Sequence, residues 1–235
     1  NGIDSLPQLR DCIVGCCHCP RLVAHREHIA HVKVARHREE DYWGKPVPPF
    51  GDPDAKILIL GLAPAAHGGN RTGRSFTGDP SGDWLFGALH RAGFASQPTS
   101  TSSNDGLSLN DVYITNAVRC APPDNKPNPD EKLACRPFLV KELELMQEVR
   151  VVIPLGKFAF DAYLQTRSAA GLTNPKPRPT FGHGNTCLLD GGVTLLSSYH
   201  PSRQNTQTGK LTLQMLDDIF LAAKELIADG NPDKR

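Results

Sequence analysis

Short apolar runs alternate along the chain with segments of helical periodicity. Four runs are typical of buried strands and span Lys56 to Leu62, Val112 to Thr115, Val151 to Leu155 and Val193 to Ser198. Apolar positions at helical spacing lie between and after them: Trp84, Leu85, Ala88 and Leu89, then Leu133, Phe138, Leu139, Leu143 and Met146 after Pro129, and finally residues 213 to 227. Strands that alternate with helices predict a parallel sheet covered by helices on both faces.

The polar segments complete this outline. Residues 95–106 and 171–186 are rich in turn residues and predict loops, the first of which we expect to be mobile. Ser81 or Asp83 is the expected N-cap of the first helix. The acidic residues between 130 and 148 predict a solvated helix face.

Composition indicates an ordinary globular protein. The chain has 235 residues, of which 39% are hydrophobic and 22% charged, so we expect one domain over 1–235 and a monomer. There is no run of eighteen apolar residues and no secretory leader pattern, so we expect a cytoplasmic protein, associated with the nucleoid if it acts on DNA, and no membrane contact.

Four of the seven cysteines are spaced as metal ligands. Cys16 and Cys19 form a C-x2-C, and Cys120 and Cys135 form a C-x14-C far downstream. Two such pairs can complete a tetrahedral shell, which zinc or an iron–sulfur centre would accept. Cys12 or Cys17 is an alternative ligand, and disulfides in a secreted protein are the less favoured alternative. The metal interpretation predicts an N-terminal segment, about residues 1–50, that is clasped to the middle of the chain.

The net charge of +1 does not by itself indicate a nucleic-acid partner. Basic residues are nevertheless concentrated between Arg21 and Arg38, where they alternate with histidines. This stretch is either an exposed helix face or a surface that contacts phosphates.

Polar segments follow three of the predicted strands. The first is a long glycine-rich loop over residues 61–79, the second covers residues 116–120 and the third covers residues 200–205. The loop lacks the patterns of a P-loop or a dinucleotide-binding fold. Because ligands of such sheets bind beyond the carboxyl ends of the strands, these three segments predict one binding crevice.

The same segments resemble a known family. The sequences GLAPAAHGGNRTGRSFTGD, YITNAVRCAPP and YHPSRQN, with the two cysteine spacings, are similar to those of the iron–sulfur uracil-DNA glycosylases, specifically the family 5 (type b) branch of bacteria and archaea. The similarity extends from about Cys16 to the closing helix. It implies a three-layer α/β/α sandwich around a four-stranded parallel sheet, a 4Fe-4S cluster and excision of uracil from DNA. The implied cluster ligands are Cys16, Cys19, Cys120 and Cys135, although spacing alone leaves zinc open.

The resemblance also implies catalytic roles. His200, in the HPS motif, should stabilise the uracil anion as it leaves the sugar, and Asp79 should position or activate water. Asn70 or His67 is the alternative group for the water, and Asp79 is alternatively a helix N-cap. Relatives in other branches carry a polar residue early in this loop, at a place where this sequence has the apolar stretch Leu62-Ala63-Pro64.

The remaining implied roles concern the base and the DNA. Phe76 should stack on a flipped base, Asn116 should pair with the edge of uracil, and Asn125 is the alternative reader of that edge. An apolar wall at Ala63 should admit hypoxanthine, xanthine, ethenocytosine and mismatched thymine as well. Contacts to DNA should come from four side chains, with Arg203 and Gln204 in the minor groove and Arg71 and Arg74 on phosphates, unless these form surface salt bridges.

Two other classes of function remain alternatives. One is a non-catalytic nucleic-acid-binding module held by the same metal clasp. The other is a zinc-dependent hydrolase of small molecules. Neither explains the three polar strand ends together.

Overall fold

The computed structural model describes residues 2–229. Within them the chain forms six strands, β1 (Phe50–Gly51), β2 (Ile57–Gly61), β3 (Val112–Asn116), β4 (Val151–Pro154), β5 (Thr186–Leu188) and β6 (Thr194–Leu196). The same residues form eight α-helices, α1 (Leu6–Val14), α2 (Pro20–Val32), α3 (Gly69–Thr72), α4 (Pro80–Ala92), α5 (Pro129–Leu145), α6 (Lys157–Ala169), α7 (Arg203–Gln207) and α8 (Leu213–Asp229).

All six strands form one sheet, in the order β1-β3-β2-β4-β6-β5. The four inner strands are parallel, as predicted, whereas the edge strands β1 and β5 are antiparallel to their neighbours. The inner strands match the four predicted apolar runs to within two residues at each end. Strand β5 begins at Thr186, inside the segment predicted as a loop.

Helices cover both faces of the sheet, which confirms the predicted three-layer arrangement. The side chains of Ile57 and Ile59 pack with those of α4 and α8 in one buried cluster. Leu58 and Leu60 point to the opposite face, where they pack with α5 and α6. Strand β2 is therefore buried on both faces, and its residues alternate between the two helical layers.

The ends of two helices follow directly from their sequences. Helix α4 begins after Asp79, whose carboxylate accepts the N–H groups of Ser81 and Gly82, so the predicted cap at Ser81 or Asp83 is wrong by two to four positions. Helix α5 begins at Pro129, as predicted, and Asn128 and Glu131 form a capping box there.

One prediction from the charge pattern is wrong, and the turn-rich segment 95–106 makes fixed contacts with the rest of the protein. The acidic residues of helix α5 do not all lie on a solvated face. Glu142 is fully buried, and its Oε2 lies 2.6 Å from Arg119 Nη2. The segment 95–106 is held to the body of the protein: Ser100 is buried, and Asp105 forms an ion pair with Arg74 at 2.7 Å.

The N-terminal segment packs onto the body of the protein. Helix α1 lies against α5, with Leu9 and Ile13 buried, and α2 lies against α3. Across residues 2–229, no helix has the length and apolar character needed to cross a membrane.

Candidate active site

A cavity of about 540 Å³ opens at the carboxyl ends of the inner strands, where the polar segments meet. Residues that follow β2, β3, β4 and β6 all contribute to its wall. This volume lies within the range typical of sites for small ligands.

The cavity brings together eight of the predicted site residues, namely Ala63, Phe76, Asp79, Asn116, Asn125, His200, Arg203 and Gln204. Four others, His67, Asn70, Arg71 and Arg74, do not contribute to its wall. The predicted base-reading groups therefore lie together in the cavity, apart from both arginines of the glycine-rich loop.

His200 is half-buried at the end of the segment that follows β6. Its ring centroid lies 5.9 Å from that of Phe76. Burial lowers the pKa of His200 to about 4, so the imidazole is neutral at pH 7. The ring makes no hydrogen bond to any residue in the described part of the chain, which leaves its N–H free to donate to a ligand in the cavity.

Asp79 both caps a helix and faces the cavity. Its Oδ1 accepts hydrogen bonds of 3.0 Å from the backbone N–H groups of Ser81 and Gly82. Its Oδ2 lies against Gly68, where an added Cβ would be only 2.3 Å away. Burial raises the pKa of Asp79, and the two backbone hydrogen bonds oppose this rise.

Gly61 allows two predicted base-reading groups to approach each other. A Cβ at this position would lie 2.2 Å from Asn116 Oδ1 and 3.0 Å from Phe76 Cζ. Phe76 itself has a φ of 55°, which is unusual for an aromatic residue and is typical of backbone held in place at functional sites. Only glycine at position 61 leaves room for both side chains.

The amide of Asn116 is buried and only half satisfied. Its Nδ2 donates to Ser75 Oγ, while its Oδ1 has no hydrogen-bond partner among the described residues. A buried acceptor without a partner costs about 1–3 kcal/mol. A ligand that donates an N–H to this oxygen would remove that cost.

Several residues of the cavity wall were not predicted, and they are Ser75, Phe158, Phe181, Tyr199 and Lys210. The Tyr199 ring packs on Phe181 at 6.0 Å between centroids, and Lys210 Nζ lies 4.9 Å from the centroid of the same ring. Tyr199 could have been found from its position directly before His200. Phe181 could not, because it lies in a segment with only turn signals.

The arginines of the glycine-rich loop are interior residues, which contradicts their predicted contact with phosphates. Arg71 forms an ion pair with Glu40 and donates to the carbonyl oxygens of His67 and Gly78. Arg74 is equally buried and pairs with Asp105. Both guanidinium groups are used to hold loops, so they are not available to DNA.

Asn70 and His67, the alternative groups for positioning water, also lie outside the cavity wall. Asn70 is fully buried, and its Nδ2 donates to the Arg26 carbonyl oxygen at 3.1 Å. His67 Nδ1 lies 3.1 Å from the hydroxyl of Tyr42. Both side chains join the glycine-rich loop to the N-terminal segment.

The four predicted metal ligands lie around one small cavity. Cys16, Cys19, Cys120 and Cys135 line it together with the alternative ligand Cys17. All seven cysteines are free thiols, so the disulfide alternative is wrong. No group of three or more His, Cys, Asp or Glu side chains between residues 2 and 229 is arranged to hold a metal ion.

Two buried cations accompany these thiols. Arg26 Nη1 donates to Cys120 Sγ at 3.0 Å, and Arg119 also lines the cavity. Arg26 is only 5% exposed, so this member of the predicted basic stretch contacts sulfur rather than phosphate. Burial raises the pKa of the Cys120 thiol to about 11, whereas the neighbouring Arg26 guanidinium acts in the opposite direction and favours the thiolate.

Comparisons with known proteins show which proteins this chain is similar to. The model of the uracil DNA glycosylase superfamily matches residues 48–224. The chain is 50% identical to the type-5 uracil-DNA glycosylase of Mycobacterium bovis, over 96% of this chain and 83% of that protein. It is 51% identical to the type-5 uracil-DNA glycosylase of Thermus thermophilus, over 91% of this chain and 94% of that protein. For the protein of the same name from Pyrobaculum aerophilum, identity is 43%, over 90% of this chain and 88% of that protein.

Proposed function

The chain belongs to the uracil-DNA glycosylase superfamily and to its type-5 branch, and from this we infer that it hydrolyses the N-glycosidic bond of uracil in DNA. It is a monofunctional glycosylase of base excision repair. The observation that carries this function is the convergence of His200, Phe76, Asn116 and Asp79 on one cavity at the carboxyl ends of the strands.

The cavity receives a base that has left the duplex. A base inside a duplex is out of reach, so the enzyme turns the nucleotide out, at a cost of a few kcal/mol. Phe76 stacks on one face of the everted uracil. Asn116 Oδ1, which lacks a partner in the described residues, accepts the N3–H of uracil. Cytosine has no hydrogen at N3, so this contact favours uracil.

His200 assists departure of the base. When the bond between C1′ and N1 breaks, its electron pair goes to uracil and positive charge develops on the sugar. The neutral imidazole of His200, whose low pKa follows from burial, donates a hydrogen bond to a carbonyl oxygen of the departing anion. Removing such a donor typically lowers the rate by about a hundred- to a thousandfold.

Asp79 completes the reaction by positioning water. The water oxygen bonds to C1′, and its proton is accepted by the carboxylate of Asp79 before it passes to the uracil anion. Asp79 is supported in this role over Asn70 and His67, because it alone of the three lines the cavity.

The substrate range is broader than uracil. The wall near Ala63 is apolar, and no charged side chain stands at that position to reject a larger base. Hypoxanthine and xanthine carry an N–H beside a carbonyl, as uracil does, and can use the same Asn116 oxygen. Mismatched thymine and ethenocytosine are further substrates, and uracil is cut best.

The four cysteines hold a 4Fe-4S cluster. Such a cluster would be held by the thiolates of Cys16, Cys19, Cys120 and Cys135, which all line one cavity, and four cysteines are the donor set that it takes. The cluster would be structural, because hydrolysis requires no electron transfer. Iron and sulfide analysis distinguishes it from zinc, and a folded, fully active, colourless Cys120→Ala variant would contradict it.

The partner is DNA, and the enzyme acts as a monomer in the cytoplasm, at the nucleoid. Arg203 and Gln204 stand at the cavity and occupy the space that the everted base leaves, on the minor-groove side.

The decisive experiment is incubation of the protein with duplexes that carry uracil, hypoxanthine or thymine opposite guanine, followed by alkaline cleavage of abasic sites. His200→Ala should bind DNA with unchanged affinity and lose base release by about a hundred- to a thousandfold. If the wild-type protein binds these duplexes and releases no base, it is a binding module and the proposed function fails.

A further inference from the structure

The segment that carries His200, residues 198–202, is held to other segments by hydrogen bonds on both sides of the imidazole, and at its start the Ser198 N–H donates to the Pro154 carbonyl oxygen at 3.3 Å. The Ser198 carbonyl oxygen accepts from the Gly156 N–H at 2.8 Å, and the His200 carbonyl oxygen accepts from Asn205 Nδ2 at 2.8 Å. Between them, the Tyr199 N–H donates to His183 Nδ1 at 3.1 Å. His183 is therefore a side chain from a distant loop that holds the backbone next to the catalytic imidazole.

The two neighbours of the His183 ring fix its tautomer. A backbone N–H can only donate, so Nδ1 must be the unprotonated acceptor for Tyr199. Nε2 lies 3.2 Å from the Met215 carbonyl oxygen, which can only accept, so Nε2 must carry the proton. The neutral Nε2–H form is the one state of the ring that satisfies both contacts.

The surroundings favour this neutral form. Burial lowers the pKa of His183, although the Met215 carbonyl and the carboxylate of Asp218 on α8 act in the opposite direction. The ring also packs on Tyr199, with centroids 5.0 Å apart and planes at 33°, and Lys210 Nζ lies 4.9 Å from the centroid of the same tyrosine ring. Tyr199 lines the cavity, whereas His183 does not.

We propose that His183 is a positioning residue, which ties the backbone of Tyr199 to the first turn of α8 and so sets where the His200 imidazole stands relative to the base. The proposal rests on the proposed function of His200. The imidazole has no hydrogen bond of its own to the described residues, so its position depends on its backbone. A displacement of about 1 Å in a catalytic group can lower a rate by about a hundredfold.

Two amide substitutions separate the acceptor from the donor. In His183→Asn the side-chain oxygen stands close to the position of Nδ1 and can accept from Tyr199 N–H. In His183→Gln the amide nitrogen reaches the position of Nε2 and can donate to Met215 O, but the Nδ1 acceptor is lost. We expect kcat on a uracil duplex to fall less than about threefold for Asn and by about thirty- to a hundredfold for Gln, with little change in KM for either.

A matched control is available in His90, whose Nδ1 lies 2.9 Å from the Ala95 carbonyl oxygen and which does not line the cavity. His90→Gln should leave kcat unchanged. Equal kcat values for the Asn and Gln variants of His183, or losses that only follow their melting temperatures, would overturn the proposal. An inactive wild-type protein would instead refute the proposed function.

A measurement on the unaltered protein tests the same point when a variant does not fold. The ¹⁵N chemical shifts of the His183 ring at neutral pH should be those of the Nε2–H tautomer. A ring protonated at Nδ1 would be incompatible with the Tyr199 contact and would overturn the proposal.

Discussion

Asp79 shows how one carboxylate serves the fold and the site at once. Its Oδ1 is occupied by the first turn of α4, while its Oδ2 lies against Gly68. From the sequence, a helix cap and a catalytic role are alternatives for this residue. The structure makes the cap certain and leaves the second oxygen free for water, because Gly68 has no side chain to cover it.

Gly68→Ala should therefore impair the reaction rather than the fold of the core. The added Cβ would lie 2.3 Å from Asp79 Oδ2, so the carboxylate must move, and we expect kcat to fall by about tenfold or more with KM nearly unchanged. Gly87→Ala is the control, because on α4 its Cβ would meet only the end of the flexible Arg91 side chain. Wild-type kcat in Gly68→Ala would show that the position of Oδ2 does not matter.

The rate should also depend on the ionisation of Asp79. Burial raises the pKa of this carboxyl group, and the proposed mechanism uses its ionised form. As the pH falls, activity should therefore decline with a midpoint at a higher pH than about 3.9, the usual pKa of a free aspartate. Asp79→Asn should be slow at every pH and lack this acidic decline, as single-turnover rates across pH would show.

The same raised pKa has a consequence for stability. A group that binds its proton more tightly in the folded state stabilises the fold at low pH, and this contribution is lost as the pH rises through the folded pKa. Asn is also a good N-cap. Asp79→Asn should then unfold at no lower denaturant concentration than the wild type at pH 7, and a clearly lower midpoint would contradict this view of the site.

At the scale of elements, the local sequence pattern predicted the inner strands and the start of α5. The inner strands are continuous apolar runs because both of their faces are buried, and Pro129 marks the first turn of α5. Strand β1 has two residues and β5 has three, so neither contains enough alternation to be recognised. These edge strands exist only because a neighbouring strand is present to pair with them.

The acids of α5 were misjudged for a related reason. Glu131 pairs with Arg21, which is 110 positions away, and Glu142 pairs with Arg119, which is 23 positions away. Only three-dimensional proximity identifies these partners. The buried pair of Glu142 and Arg119 joins α5 to the segment after β3, directly beside Asn116 and the cysteine cavity.

Glu142→Leu should accordingly destabilise the protein by about 3–5 kcal/mol, because it leaves the Arg119 charge buried without its partner. The double variant with Arg119→Met should recover most of that loss, since no charge then remains in the interior. Chemical denaturation measures both. Glu144→Ala, which removes an exposed pair with Lys141, is the control and should change stability by less than about 1 kcal/mol. A single variant as stable as the wild type would show that the pair contributes nothing.

For the whole molecule, the question is which cations remain for DNA. Four arginines that lie in the basic stretch or in the polar segments after the strands are buried. Their guanidinium groups contact loops, carboxylates or sulfur rather than solvent, and they are Arg26, Arg71, Arg74 and Arg119. Charge counted along the sequence therefore overstates the basic surface. The cations that line the cavity are Lys157, Arg203 and Lys210, which come from three different segments.

Arg203→Ala should reduce the salt dependence of binding to a uracil-containing duplex. A guanidinium group held in the minor groove, between the two phosphate backbones, displaces condensed cations from the DNA, so its removal should lower the slope of log Kd against log salt concentration by up to about one unit. Arg91→Ala is the control, because Arg91 lies in the last turn of α4 and is paired with Asp217. Fluorescence anisotropy across salt concentrations gives both slopes, and an unchanged slope for Arg203→Ala would remove that side chain from the interface.

The convergence of the strand ends was predictable because the topology of parallel sheets fixes it, and the motifs marked the same segments. Three features were not predictable, because each depends on atoms from separate segments. They are the close approach of other side chains to Gly61 and Gly68, the left-handed backbone at Phe76 and the hydrogen bond from Tyr199 to His183.

The cysteine cavity imposes an order on biosynthesis. Its wall needs Cys16 and Cys19 from the segment between α1 and α2 and Cys135 from α5. During translation the first two thiols leave the ribosome more than a hundred residues before the last. Until then α2 lacks the surface on which Leu22 and Arg26 are buried, so this helix cannot pack, and loading of any metal at the four cysteines follows synthesis of α5.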